Sequence, residues 1–182
     1  DASLGLYSTD ASIYQIMPEV IVLPKDDEDV LQAHKIAKDH NVSILSRGGG
    51  TSLAGQTVGK SMILDFSKYM NKILEINEEE QWVRVQPGLV RDNLNEVLQP
   101  LGLHFAPDPA TSSRATVGGM IGNNSSGTKS VLYGKTVDHI ISLKIVLDDG
   151  KIMELNELSK NEWEEKGIGI NRQTEIYYLR TC

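Results

Sequence analysis

The chain has 182 residues, 40% of them hydrophobic and 24% charged, with a formal net charge of −7, the ordinary composition of a soluble globular domain. The acidic balance excludes general nucleic-acid binding, because no basic excess meets the phosphate backbone, but it leaves room for one small anion held by main-chain donors. No apolar run approaches the roughly 20 residues that span a bilayer, and DASLGLYSTD lacks the charged-then-apolar order of a signal peptide. Cys182 is the only cysteine, so no intrachain disulfide forms and a reducing, cytoplasmic setting is expected.

In chain order, Glu19 to Leu23 (EVIVL) reads as a buried strand closed by Pro24. Asp26 follows as an N-cap, with Asp27, Glu28 and Asp29 complementing a helix N-terminus. Val30, Leu31, Ala33, His34 and Ala37 recur at helical spacing, which predicts a helix to about His40. Strands are expected at Val42 to Leu45 and Met62 to Asp65. Ile73, Leu74 and Ile76, an acidic turn, then Trp82, Val83 and Val85 give a β-hairpin pattern. A helix is predicted from about Leu89 to Leu98, before Pro100 and Gly102. Ile140 to Leu147 and Ile152 to Leu155 read as two strands about a tight Asp148-Asp149-Gly150 turn. Ser159 is a candidate cap for a charged segment at Lys160 to Lys166, and IYYLRTC at the end has a helix-like pattern. The fold class is α+β with short mixed sheets and flanking helices.

Two stretches carry chemistry. The first is Arg47 to Gln56, RGGGTSLAGQ. Gly48, Gly49 and Gly50 let a ligand approach the main chain and admit positive φ, so successive N–H groups can turn inward around an anion. Thr51 and Ser52 add hydroxyls, and Arg47 adds a fixed charge. The chemistry that suits this loop is a phosphate or diphosphate; the alternative is a flexible surface loop. The second stretch, Phe105 to His139, is rich in Gly, Ser, Thr and Asn and poor in periodicity. A loop of more than about 15 residues within a compact domain is usually functional or disordered. The apolar residues Val117, Met120, Ile121 and Val131 predict an ordered wrap anchored on the core. Within it, Asn123, Asn124, Ser125 and Ser126 offer donors and acceptors to a flat polar ring.

Other motifs fail. GKS at residues 59–61 lacks the upstream glycine of a Walker loop, since Ala54 stands there. Gly167 and Gly169 begin a dinucleotide-like pattern, but Arg172 replaces its third glycine. The four histidines are scattered without a carboxylate or cysteine cluster, so no metal site is expected.

The ordered series PEVIVLPKDDEDV, RGGGTSLAGQ, PDPATSSRATVGGMIGNNSSG and YGKTVDHI…LDDG resembles the FAD-binding domain of the vanillyl-alcohol oxidase/p-cresol methylhydroxylase (PCMH) superfamily. It is most similar to glycolate oxidase FAD subunits and D-lactate or D-2-hydroxyglutarate dehydrogenases. YSTDASIYQIMP is similar to the longer members that also carry an iron–sulfur segment. The resemblance spans about Tyr7 to Leu155.

It implies a two-subdomain cradle for FAD, divided at about residue 66: residues 18–66 with the diphosphate loop, and residues 67–182. The implied cofactor contacts are Arg47, Gly48, Gly49, Gly50, Thr51, Ser52 and Gln56 from the first part. From the second they are Pro107, Asp108, Pro109, Thr111, Thr116, Gly118, Gly119, Asn124 and Gly127, then Tyr133, Gly134 and Ile140. Covalent members carry histidine where this chain has Thr51, so FAD is expected to be held non-covalently. The implied activity is oxidation of a small 2-hydroxy acid to the 2-oxo acid, with electrons passed to a downstream acceptor such as an iron–sulfur segment or subunit. Another flavoenzyme of the same fold, an alcohol oxidase or cell-wall-precursor reductase, is the alternative within the fold, and a non-catalytic anion-binding module is the alternative outside it. The family's closing Gly-Ser-Glu-Gly-Thr-like segment and strand, and its substrate domain, are not found in the sequence, so a C-terminally shortened FAD domain is expected. No catalytic residue is assigned. Neither a transmembrane segment nor a nucleic-acid partner is expected, and peripheral attachment at the inner face of the membrane is compatible with the family.

Overall fold

The computed structural model describes residues 2–156 and the backbone of residues 172–180. The segment Lys160 to Lys166, its candidate cap Ser159, and Cys182 lie outside the described residues.

A short helix, α1 (Ala2–Tyr7), precedes a parallel three-stranded sheet made of β1 (Val20–Val22), β2 (Ile44–Arg47) and β3 (Met62–Asp65) in the order β1-β3-β2. All four residues of the central β3 are buried, as a parallel strand covered on both faces requires. Between β1 and β2 runs α2 (Asp27–Asp39). Asp26 caps it as predicted, accepting from Asp29 N at 3.0 Å, and Val30, Ala33 and Ala37 form its buried face. They pack with Ile44, Met62, Leu64, Phe66 and Met70 into one of two cores. Because β2 and β3 are parallel neighbours, the chain must cross back between them. Residues 48–61, with the glycine run at their start, make that crossing.

The second sheet is antiparallel, in the order β4-β5-β8-β6-β7: β4 (Ile73–Asn77), β5 (Trp82–Val85), β6 (Ile140–Leu147), β7 (Ile152–Leu155) and β8 (Arg172–Arg180). The hairpins β4–β5 and β6–β7 match the sequence expectation. The end of the chain does not. IYYLRTC reads as helix-like, yet Ile176 to Arg180 belong to β8, which lies between β5 and β6. Its backbone pairs on both sides, and that pairing overrides local preference. A strand therefore fills the middle of this sheet.

Helix α3 (Arg91–Leu98) buries Leu94 and Leu98 against Val83, Val85, Phe105, Val117 and Met120, the second core. It starts two residues later than its apolar pattern suggests. Val146 of β6 joins the first core instead, and Lys144 Nζ meets Asp27 Oδ2 at 2.6 Å, so the antiparallel sheet packs against α2.

The region from Phe105 to His139 is more regular than its sequence suggests. It contains α4 (Val117–Gly122), α5 (Ser130–Tyr133) and a 3-10 turn, Thr136–His139. Val117 and Met120 are buried anchors as expected, and Ile121 packs partly on the same core. Val131 is not an anchor: it is 99% exposed, and α5, a single turn, buries none of its residues.

Candidate functional site

The glycine loop lies directly against the segment that leads into α4. Gly48 abuts the side chain of Thr116, and Gly49 abuts the Arg114 carbonyl, so closely that a Cβ on either would overlap those atoms. Glycine is needed at these two positions for protein–protein packing. Only Gly50 of the three has positive φ, at 65°, which corrects the expectation that the run as a whole exploits left-handed backbone.

Where the two segments meet, a cleft is lined by Gly48, Gly49, Gly50, Thr51, Ser52 and Thr57 on one side. Pro109, Thr111, Ala115, Thr116, Gly119, Met120, Asn123 and Ser125 line the other. Its enclosed volume is about 50 Å³, well short of the roughly 300–1,000 Å³ of a whole small-molecule pocket. It has room for one compact polar group. None of the five N–H groups from Gly48 to Ser52 donates to a protein acceptor among the described residues. Ser52 is buried, Gly48, Gly50 and Thr51 are half-buried and Gly49 is exposed; such a row beside a cleft suits an anion, which satisfies several donors at once.

The loop holds its own shape. Ser52 Oγ donates to Gln56 Oε1 at 2.6 Å and accepts from the N–H groups of Ala54 and Gln56. Arg47 is engaged elsewhere than expected. Its guanidinium donates to the carbonyls of Tyr7 (3.2 Å), Thr57 (3.0 Å) and Thr9 (2.8 Å) and lies over the Tyr7 ring. Its charge is near the loop, but its donors are committed to carbonyls. Thr57 also donates to Asp10, by Oγ1 at 2.9 Å. Burial works against the charge of Asp10, but hydrogen bonds from Ser12 and Thr57 outweigh it and hold the carboxyl below its usual range.

On the opposite wall, α3 fixes the approach. Arg91 donates to the carbonyls of Pro107 and Phe105, and Asn95 forms a reciprocal pair with the Phe105 backbone, at 2.7 and 3.1 Å. Val117 N and Gly118 N donate to Leu89 O and Pro87 O, each at 2.8 Å. Thr116 caps α4.

Of the residues marked from sequence, Gly48 to Ser52, Pro109, Thr111, Thr116 and Gly119 come together at the cleft, and the remainder lie outside its lining. Pro107 is buried. Asp108 accepts from Thr128 and Lys129, and Gly127 is pressed against the Asp108 carbonyl. Gly118 packs on Pro87. Asn124, at φ 47°, accepts from Val137 N at 3.0 Å. Tyr133 meets His104 edge-on, Gly134 turns the chain at φ 83°, and Ile140 packs on the second core. Of the four polar residues expected to offer donors and acceptors, Asn123 and Ser125 line the cleft and Asn124 and Ser126 do not, while Thr57, Ala115 and Met120 join the lining without a sequence signal for it. No group of His, Cys, Asp and Glu suited to a metal exists among the described residues.

Residues 18–156 match the family model described as FAD binding domain. D-2-hydroxyglutarate dehydrogenase of Escherichia coli (strain K12) is 46% identical over 154 residues, which cover 83% of this chain and 15% of that protein. The enzyme of the same name from Pseudomonas putida is 42% identical over 181 residues, 98% of this chain and 18% of the relative. Glycolate oxidase subunit GlcD of Bacillus subtilis is 38% identical over 158 residues, 84% and 33%. Among solved structures, an alkyldihydroxyacetonephosphate synthase superposes with a TM-score of 0.75 at 25% identity, over 89% of this chain and 33% of that one. The chain thus spans less than a fifth of the D-2-hydroxyglutarate dehydrogenases from these two organisms. With matched residues running from before β1 to the end of β7, the chain belongs to the FAD binding domain family.

Proposed function

We propose that this chain is the cofactor-holding part of a flavoenzyme that oxidises a 2-hydroxy acid of the D-lactate, glycolate or D-2-hydroxyglutarate type to the 2-oxo acid. FAD is the cofactor of the family, and the observation that carries its assignment here is the row of five N–H groups, Gly48 to Ser52, without a protein acceptor among the described residues, beside a small polar cleft. Main-chain donors with flanking hydroxyls suit the diphosphate of FAD, and each charge-assisted bond contributes roughly 1.5–3 kcal/mol. The cleft is too small for the ring systems, which residues outside its lining would have to hold. Thr51 stands where covalent relatives carry histidine, and threonine offers no ring nitrogen for a flavin link, so attachment is non-covalent.

When bound, FAD supplies the two-electron chemistry; the chain supplies orientation and electrostatics. The loop donors fix the diphosphate. Thr116, Asn123 and Ser125 offer further polar contacts from the opposite wall, and Met120 keeps one side of the cleft apolar. The reading rests also on the relatives, which are D-2-hydroxyglutarate dehydrogenases and a glycolate oxidase subunit. Electrons leave for a separate acceptor, for which an iron–sulfur segment or subunit is the candidate. No helix among the described residues is long and apolar enough to cross a membrane, which agrees with a cytoplasmic enzyme or one attached peripherally at the inner membrane face.

The test is anaerobic mixing of the flavin-loaded protein with D- and L-2-hydroxy acids while following flavin absorbance. Bleaching by D-lactate, glycolate or D-2-hydroxyglutarate is expected. A flavin that none of them reduces would overturn the substrate class.

A further inference from the structure

Residues 7–14 precede the span matched by the family model, yet their polar contacts concentrate on the glycine loop. Tyr7 O and Thr9 O accept from Arg47, at the start of the loop. Asp10 Oδ2 accepts from the hydroxyl of Thr57, at its end, at 2.9 Å. Ala11 N donates to Gly50 O at 3.0 Å, in the middle. The Tyr14 ring packs on Gly55 so closely that a Cβ there would come within 2.6 Å of the ring. The segment is closed on itself by Ile16 N donating to Ser8 O at 2.9 Å, and Ser8 is fully buried.

The contact at Gly50 has a direct geometric consequence. Gly50 C=O and Thr51 N–H share one peptide plane, and in a trans peptide they point in opposite directions. Fixing the carbonyl on Ala11 therefore fixes the Thr51 N–H in the opposite sense, away from the N-terminal segment. Glycine at φ 65° is the flexible joint that most needs such a fix. Arg47 works alongside: one guanidinium bridges the Tyr7, Thr9 and Thr57 carbonyls and so joins both ends of the loop to the same segment.

We infer that residues 7–14 form a clasp behind the diphosphate loop, with Asp10 and Arg47 as positioning residues that hold its N–H groups in the anion-binding arrangement before FAD arrives. This rests on the assignment of the loop to the FAD diphosphate. Pre-organised donors raise affinity by lowering the ordering cost of binding. Arg47 then acts through its fork of carbonyl contacts and not through its charge alone, and lysine cannot replace it.

The experiment compares Gly48→Val, Asp10→Ala and Arg47→Lys in the holoprotein. Each is stripped of FAD and retitrated by fluorescence, with amide hydrogen exchange and thermal unfolding measured on the FAD-free form. Asp10→Asn replaces Asp10→Ala if the latter does not fold. The expected result is loss of FAD binding in Gly48→Val and a Kd at least tenfold higher in both Asp10→Ala and Arg47→Lys. Exchange should accelerate in residues 48–57 and stay unchanged in β3 and α3. Wild-type Kd in Asp10→Ala and Arg47→Lys, with binding lost in Gly48→Val, would overturn the clasp and leave the cradle standing. Accelerated exchange throughout the chain, in proportion to a lowered Tm, would also overturn it, in favour of a general folding role. Undiminished binding in all three would overturn the diphosphate assignment itself.

Discussion

Gly48 and Thr116 meet with no space for a methyl group between them: a Cβ on Gly48 would overlap Thr116 Oγ1. This contact joins the loop after β2 to the cap of α4 and so makes one wall of the cleft dependent on the other. Gly48→Val is expected to do two things. It should abolish FAD retention, and it should destabilise the FAD-free protein by about 1–3 kcal/mol, the usual cost of overpacking. Gly49→Val, against the Arg114 carbonyl, should behave alike. Gly50→Ala should cost about 1–2 kcal/mol for left-handed backbone, with added pressure on Arg47 Nη2. Flavin content after purification and urea midpoints check all three, and a Gly48→Val protein with full flavin would contradict the cleft.

Asn95 matters for the shape of the opposite wall without lining the cleft. Its amide both donates to and accepts from the Phe105 backbone, and Phe105 is fully buried. Asn95→Ala strands the Phe105 N–H, while the Phe105 carbonyl keeps Arg91, so a loss of about 1–3 kcal/mol is expected. It should be seen as a lower urea midpoint at unchanged slope.

Tyr7 provides a pH signature. Burial, and then its 2.6 Å hydrogen bond to Asp65 and the charge of that carboxylate, raise its pKa from 10.0 to about 12, against a smaller opposing effect of Arg47. The folded chain holds this proton more tightly than the unfolded chain. The stabilisation is therefore complete below pH 10 and is lost as pH rises toward 12. Tyr7→Phe should flatten the fall in stability across that window. Absorbance titration should show one late tyrosinate in the wild type that is missing from the variant.

The proposed non-covalent attachment makes FAD extractable. Acid precipitation of the holoprotein should leave the flavin in the supernatant, and yellow colour retained in the pellet would show a covalent bond.

The elements most legible in the sequence were those with a local cause. Asp26 capped α2, the parallel strand β3 was a short apolar run, and the acidic turn at Glu78 to Glu80 lay between the strands of a hairpin. The helix α4 was not legible, because VGGMIG has two glycines at its start and poor intrinsic helix propensity. It forms because Leu89 and Pro87 accept from its first N–H groups and Val117 and Met120 are buried. β8 was hidden for a related reason: its state depends on β5 and β6, distant strands that leave a gap between them.

The sequence alone pointed to the class of ligand proposed for the loop, since three successive glycines followed by two hydroxyl residues are a main-chain motif whose chemistry lies in its own residue types. It also determined the family, through four motifs in a fixed order. Tertiary structure decided the role of each member. Gly48 and Gly49 are glycine because Thr116 and Arg114 press on them, Asn123 and not Asn124 lines the cleft, and Arg47 is held by the carbonyls of Tyr7, Thr9 and Thr57. Apart from the Arg47–Thr57 bond, those outcomes depend on contacts between residues distant in the chain, and no local periodicity encodes where such residues meet.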